Sequence, residues 1–184
     1  MLTNRTNFSL LARSAGQGAA ATGIYSVAFY GLEAIWLVAR GLAPVVHART
    51  ANNPDRERRI QETGRFLGVA ILGTLPLATL AALIPDAWYA LAIGFGGIQP
   101  VILRLLPAAI AGAMASILAH HLSGIGQHRW NAYTSALGLA VLSVCAWQWI
   151  PVTGIDGAAY AASAAAVAQT IGLIVAWCHC EQSR

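Results

Sequence analysis

Three charged residues stand inside long apolar stretches. Glu33 and Arg40 fall within 24–46, and Arg104 falls within 101–122. A charge among so many apolar neighbours must face protein, water or a ligand, so each is a candidate for function. Glu33 either lines a substrate or ion path or is hydrogen-bonded within a helix bundle. Arg40 lies seven positions on, on the same helix face about two turns deeper. That rise, about 10 Å along the axis, predicts no direct contact with Glu33. Arg40 then either joins the path or extends toward lipid phosphates. Arg104 sits about one turn into its stretch. From there it reaches the interface along its aliphatic stem, or offers its guanidinium to a phosphate in bidentate fashion.

Other chemistry finds little support. No second carboxylate lies in the apolar stretches to form an acid–base dyad with Glu33. No glycine-rich loop leads into a lysine, and no Ser–His–Asp set occurs at a common depth. The adjacent His120 and His121 point about 100° apart on a helix, and with His128 they read as interfacial residues. Cys178-His179-Cys180 lacks zinc-finger spacing and a second pair of ligands. The expectation is a non-enzyme with no metal and no cofactor.

The elements that must position Glu33, Arg40 and Arg104 follow from composition. The chain has 184 residues, 57% hydrophobic and only 10% charged, with a mean hydropathy of +0.60. Soluble domains carry about 25% charged residues, so a soluble domain, a disordered chain and a nucleic-acid-binding module are all excluded. All basic residues are Arg. The three cysteines, Cys145, Cys178 and Cys180, do not make a disulfide framework.

A spanning helix needs about 20 apolar residues. Stretches 24–46, 66–84, 101–122, 132–150 and 157–178 meet that length, and they are too long and too uniform for barrel strands. The fold class is therefore an all-α integral membrane protein with about five transmembrane helices. Breaks fall where turn residues cluster: Asn53-Pro54-Asp55, Ile84-Pro85-Asp86, Gly94–Pro100, Gly124–Arg129, and Pro151–Asp156, with Asp156 as an N-cap of the last span.

Arginine sets the orientation. The 47–65 segment, read as an Arg-rich loop, holds Arg49, Arg56, Arg58, Arg59 and Arg65. The turn after the third span holds Arg129, and the 179–184 tail holds Arg184. The intervening loops hold none, so the Arg-rich side and the C-terminus are expected to be cytoplasmic. Residues 1–23 read as an incomplete N-terminal segment, the remainder of an earlier helix or loop.

Pro76 and Pro107 lie inside spans and are candidate kinks. Gly64 and Gly68 form a GxxxG pair, Gly112 and Ser116 a weaker one, and 157–168 is dominated by Ala. Small residues let helices pack closely in lipid. Most tryptophans fall near span ends, with Trp36 the deepest.

Several segments resemble a known family in order and spacing. Ala21-Thr-Gly-Ile-Tyr-Ser-Val-Ala28, Glu33-Ala-Ile-Trp36 and Leu42-Ala-Pro44 look like the start of the C-terminal half of polysaccharide flippases. Gln99-Pro-Val-Ile-Leu-Arg-Leu-Leu106 and His121-Leu-Ser-Gly-Ile-Gly-Gln-His-Arg129 resemble their third span and the basic turn after it. Ile150-Pro-Val-Thr-Gly-Ile-Asp-Gly-Ala-Ala159 is the most specific segment. Together they cover about residues 20–178 and resemble the multidrug/oligosaccharidyl-lipid/polysaccharide (MOP) exporter superfamily. That resemblance implies transport of lipid-linked oligosaccharides across the bacterial inner membrane by two rocking six-helix lobes. About five spans correspond to one lobe, so a missing N-terminal lobe or a second subunit is implied. The bilayer and the lipid-linked oligosaccharide are the implied partners, and a cationic surface formed partly by Arg104 is expected to receive the anionic headgroup. Alternatives are another cargo, such as a drug or a lipid-linked peptidoglycan precursor, and a non-transporting membrane scaffold or subunit.

Overall fold

The computed structural model describes residues 18–182, and 92% of them are helical, with no strand among the described residues. The helices are α1 (Gly18–Asn52), α2 (Arg56–Leu83), α3 (Asp86–Ile93), α4 (Ile98–Gly124), α5 (His128–Thr153) and α6 (Ile155–Gln182). All but the short α3 are long and apolar enough to cross a membrane. The five expected spans correspond one to one with these long helices. The chain is thus of the all-α, multi-pass membrane type.

Helix boundaries differ from the hydropathy stretches. Residues 18–23 are the first turns of α1, while residues 1–17, including Arg5 and Arg13, lie outside the described residues. The Arg-rich 47–65 segment is not a loop: α1 runs to Asn52 and α2 starts at Arg56. Its Arg, Glu and Gln are good helix formers, so it is helical without being apolar. Asp55 caps α2, accepting from the Glu57 and Arg58 amides at 3.0 and 3.5 Å. The tail is helical to Gln182, and Cys180 and Glu181 are buried. Asp156 lies inside the first turn of α6 rather than capping it.

Asp86 organises the turn at the opposite end. It is the first residue of α3, and its carboxylate accepts the amides of Gly97, Ile98 and Gln99 at 2.7, 2.9 and 3.2 Å. One side chain thus caps α4 while belonging to α3. Gly94 and Gly97 have φ of 90° and 87°, a left-handed conformation that glycine adopts without steric cost. This lets the chain reverse within four residues.

Helix α4 is the centre of the bundle: α1, α2 and α6 pack on it, and α5 packs chiefly on α6. The main core cluster joins Tyr25 and Leu32 of α1, Ile98, Val101 and Leu105 of α4, Leu142 and Ile150 of α5, and a run of alanines in α6. Large apolar side chains on α2, including Leu72, Leu80 and Leu83, are exposed, as expected where lipid is the solvent.

Both expected proline sites are accommodated within continuous helix. Helix α2 runs through Pro76 and α4 through Pro107. Around Pro107, carbonyls of α4 receive side-chain donors from its neighbours. Ser163 donates to the Arg104 carbonyl at 2.7 Å, Trp36 Nε1 to Ala109 at 2.9 Å, and Thr170 to Ala111 at 2.8 Å. These bonds tie α4 to α1 and α6, while the carbonyl that Pro107 leaves without its helical donor is that of Leu103, four residues back.

The small residues divide by role. A Cβ on Gly112 would lie 2.5 Å from the Trp36 ring, and one on Gly157 would lie 2.5 Å from the Trp149 backbone, so both permit close approach. Gly64 and Gly68, the clearer motif in the sequence, have no atom within 4 Å of an added Cβ. That GxxxG does not pack α2 inside the described bundle.

Candidate functional site

A cleft of about 520 Å³ opens at mid-span between α1 and α5. Its volume lies in the usual range for small-molecule sites, about 300–1,000 Å³. The floor is made of small residues from α4 and α6: Ala108, Gly112 and Ala115, then Ala162, Ala165 and Ala166. Larger side chains there would fill the space. The α1 wall presents Phe29, Glu33, Trp36 and Arg40, one turn apart along a single face. Ser135 of α5 and Gln169 of α6 add the remaining polar groups.

Glu33 and Arg40 meet, contrary to the axial-distance expectation. A guanidinium nitrogen of Arg40 lies 3.7 Å from a Glu33 carboxylate oxygen, with the two side chains 35% (Glu33) and 51% (Arg40) exposed. The expectation counted only the rise between backbones. Long side chains close such a gap, because helical side chains lean toward the N-terminus and Arg40 therefore reaches back to Glu33. The Arg40 guanidinium also lies 5.7 Å from the Trp36 ring centroid. Trp36 is fixed in turn by its bond to the Ala109 carbonyl and its edge-on contact with Phe29, 5.9 Å between centroids.

Arg104 is outside the cleft. It lines a separate shallow pocket with Pro100, Leu103, Pro107, Tyr160 and Ser163. It is not a free phosphate-binding fork, because it reaches toward the helix ends and pairs there with a carboxylate. Its guanidinium is 2.9 Å from Asp156 and 5.9 Å from the Tyr160 ring centroid. Arg40 and Arg104 are therefore each matched by a carboxylate, and the positive charge that Arg104 is expected to bring to a cationic surface is offset by Asp156. An acidic residue before an apolar run usually caps the helix, which is the expectation for Asp156. Its partner lies on another helix, which local pattern cannot reveal.

The site that sequence reasoning missed is at the Arg-rich end. His121, fully buried, places Nε2 2.9 Å from Glu181 and Nδ1 2.7 Å from the Thr63 hydroxyl. Glu181 also receives Arg59 at 3.2 Å and lies 3.8 Å from Arg56. Arg59 further donates to the carbonyls of Asn53 and Pro54. The cluster joins α2, α4 and α6, so His121, expected at that end of the span, is enclosed by helices and engaged on both ring nitrogens. No group of three or more His, Cys, Asp or Glu able to hold a metal occurs among the described residues.

In comparisons with known proteins, no family model, no curated protein and no solved structure matches this chain.

Proposed function

We propose that the chain is one lobe of a transporter that moves lipid-linked oligosaccharides across the bacterial inner membrane by alternating access. The observation that carries this reading is the mid-span cleft. A part-open cavity that places a few polar side chains at the centre of an apolar bundle is where a repeat-built transporter holds its cargo. The ordered resemblance over residues 20–178 supports the cargo class. Arginines gathered at one end of the bundle support a cytoplasmic C-terminus. In this reading a second lobe, on the same or another polypeptide, faces the cleft and closes the path.

Complementation tests it. The chain is expressed alone, and fused to the first lobe of a polysaccharide exporter, in a bacterium lacking its O-antigen flippase. The expected result is that only the fusion restores surface polysaccharide. Failure of both, with membrane insertion demonstrated, overturns the reading. A second reading, a membrane scaffold or subunit, is favoured by Gly64 and Gly68, whose unfilled surroundings suit close approach of another helix.

A further inference from the structure

We propose that the cleft between α1 and α5 receives uncharged sugar rings, with the Glu33–Arg40 pair as their recognition element. The assignment rests on the transport reading and narrows it: this lobe handles the neutral glycan and not the anionic headgroup.

Three observations carry it. First, the ionisable lining of the cleft sums to zero, with Glu33 and Arg40 its only charged members. A phosphate drawn to Arg40 would meet the Glu33 carboxylate beside it, and like charges held close together repel. Second, the pair is in ionic contact at 3.7 Å, yet neither side chain makes a hydrogen bond among the described residues. A carboxylate offers about four acceptor sites and a guanidinium five donors. A group that satisfies both must donate and accept together, as a hydroxyl does. Vicinal sugar hydroxyls bridging the two side chains meet that requirement. Third, the rest of the lining has the same dual character. Gln169 carries an amide that donates and accepts, and Ser135 a hydroxyl. Phe29 and the Ala/Gly floor offer apolar surface for the C–H faces of a ring.

Binding by the purified full chain in lipid nanodiscs, followed by isothermal titration calorimetry, tests the proposal. The probes are maltoheptaose and chitotriose as neutral glycans, an oligogalacturonate as an acidic one, and farnesyl diphosphate as an anionic lipid headgroup. The neutral glycans are expected to bind at least roughly tenfold more tightly than either anion. Glu33→Gln leaves Arg40 uncompensated. It should weaken the neutral probes by roughly tenfold, equivalent to one charged hydrogen bond, and strengthen oligogalacturonate. Arg40→Gln should weaken neutral and acidic probes alike. Unchanged helical circular dichroism verifies the fold of each variant. Preferential binding of farnesyl diphosphate that Arg40→Gln abolishes overturns the proposal in favour of a headgroup site. Absence of glycan binding by the folded wild-type chain also overturns it. Complementation by the fusion without glycan binding sinks this inference alone, whereas glycan binding without complementation sinks the transport reading alone.

Discussion

Arg59 and Glu181 stand 122 positions apart and meet at 3.2 Å, both side chains more than nine-tenths buried. Their contact ties the first turn of α2 to the last turn of α6, and His121 of α4 completes the tie on the other carboxylate oxygen. Every long helix needs neighbours in lipid, but apolar packing alone does not specify which end of a helix meets which. A buried charge pair does, because any misregistered arrangement leaves an ion without its partner.

Removing one member of that pair is expected to be costly. Glu181→Ala strands Arg59, whose Nε already lacks a partner, and should destabilise the bundle by about 3–5 kcal/mol. The paired replacement Arg59→Leu with Glu181→Leu should recover most of that loss, since it leaves no buried ion. Equilibrium unfolding in mixed micelles, monitored by circular dichroism, measures both. A double variant as unstable as the single one would refute the pairing as the cause.

Trp36 and Gly112 form a knob and a socket at the cleft floor. Gly112→Ala places a methyl within van der Waals overlap of a ring held by its own hydrogen bond, so it should cost about 1–3 kcal/mol. Trp36→Phe removes a second donor from the Ala109 carbonyl, which keeps its helical partner, and should cost about 0.5–1.5 kcal/mol. The same unfolding assay reads both, and a neutral Gly112→Ala would mean that the indole is free to move.

Arg104 and Asp156 form a pair at the end opposite the buried cluster. Arg104→Gln alone and Asp156→Asn alone should each lower thermal stability, while the two together should restore it toward wild type. The double variant should also retain complementation in the lobe fusion, since the pair takes no part in the cleft. Loss of complementation in a folded, inserted double variant would return Arg104 to the transport path.

Acid should loosen the turn between α3 and α4. Hydrogen bonds from the Gly97, Gln99 and Ile98 amides hold the Asp86 carboxyl below its ordinary value of 3.8, against a smaller opposing effect of desolvation. A carboxylate depressed in the folded state contributes stability that is fully present above the unfolded value and is lost as pH falls through the folded one. Amide exchange at residues 97–99 should therefore stay protected down to about pH 4 and lose protection below it, once the intrinsic pH dependence of exchange is removed. In Asp86→Asn protection should be weaker at neutral pH and insensitive to acid over that range.

The number and order of the spans are legible in the sequence because one property, an apolar run of about 20 residues, decides them. The turns are legible for a similar local reason: Asp55, Gly94 and Gly126, the last a glycine at φ 78° in the turn before α5, act on their immediate neighbours. The charge partnerships are not. Arg104 with Asp156 and Arg59 with Glu181 join residues on different helices, and no periodicity links such positions. Glu33 with Arg40 differs, because both lie on one helix face and the length and lean of their side chains close the gap that the backbone rise alone leaves open. Gly64 and Gly68 teach the converse, since a spacing that permits close packing does not supply a helix to pack against.

The alanine and glycine floor of the cleft has a further consequence. Such residues have no rotamers to freeze, so that surface loses no side-chain entropy when it is covered. It is also indifferent to the identity of what covers it. Selectivity for whatever covers it then resides in the polar wall positions Glu33, Arg40, Ser135 and Gln169, whereas Phe29 and Trp36 are tied into the packing. Exchanging those few side chains would change what the cleft prefers while keeping the same backbone and the same alanines beneath.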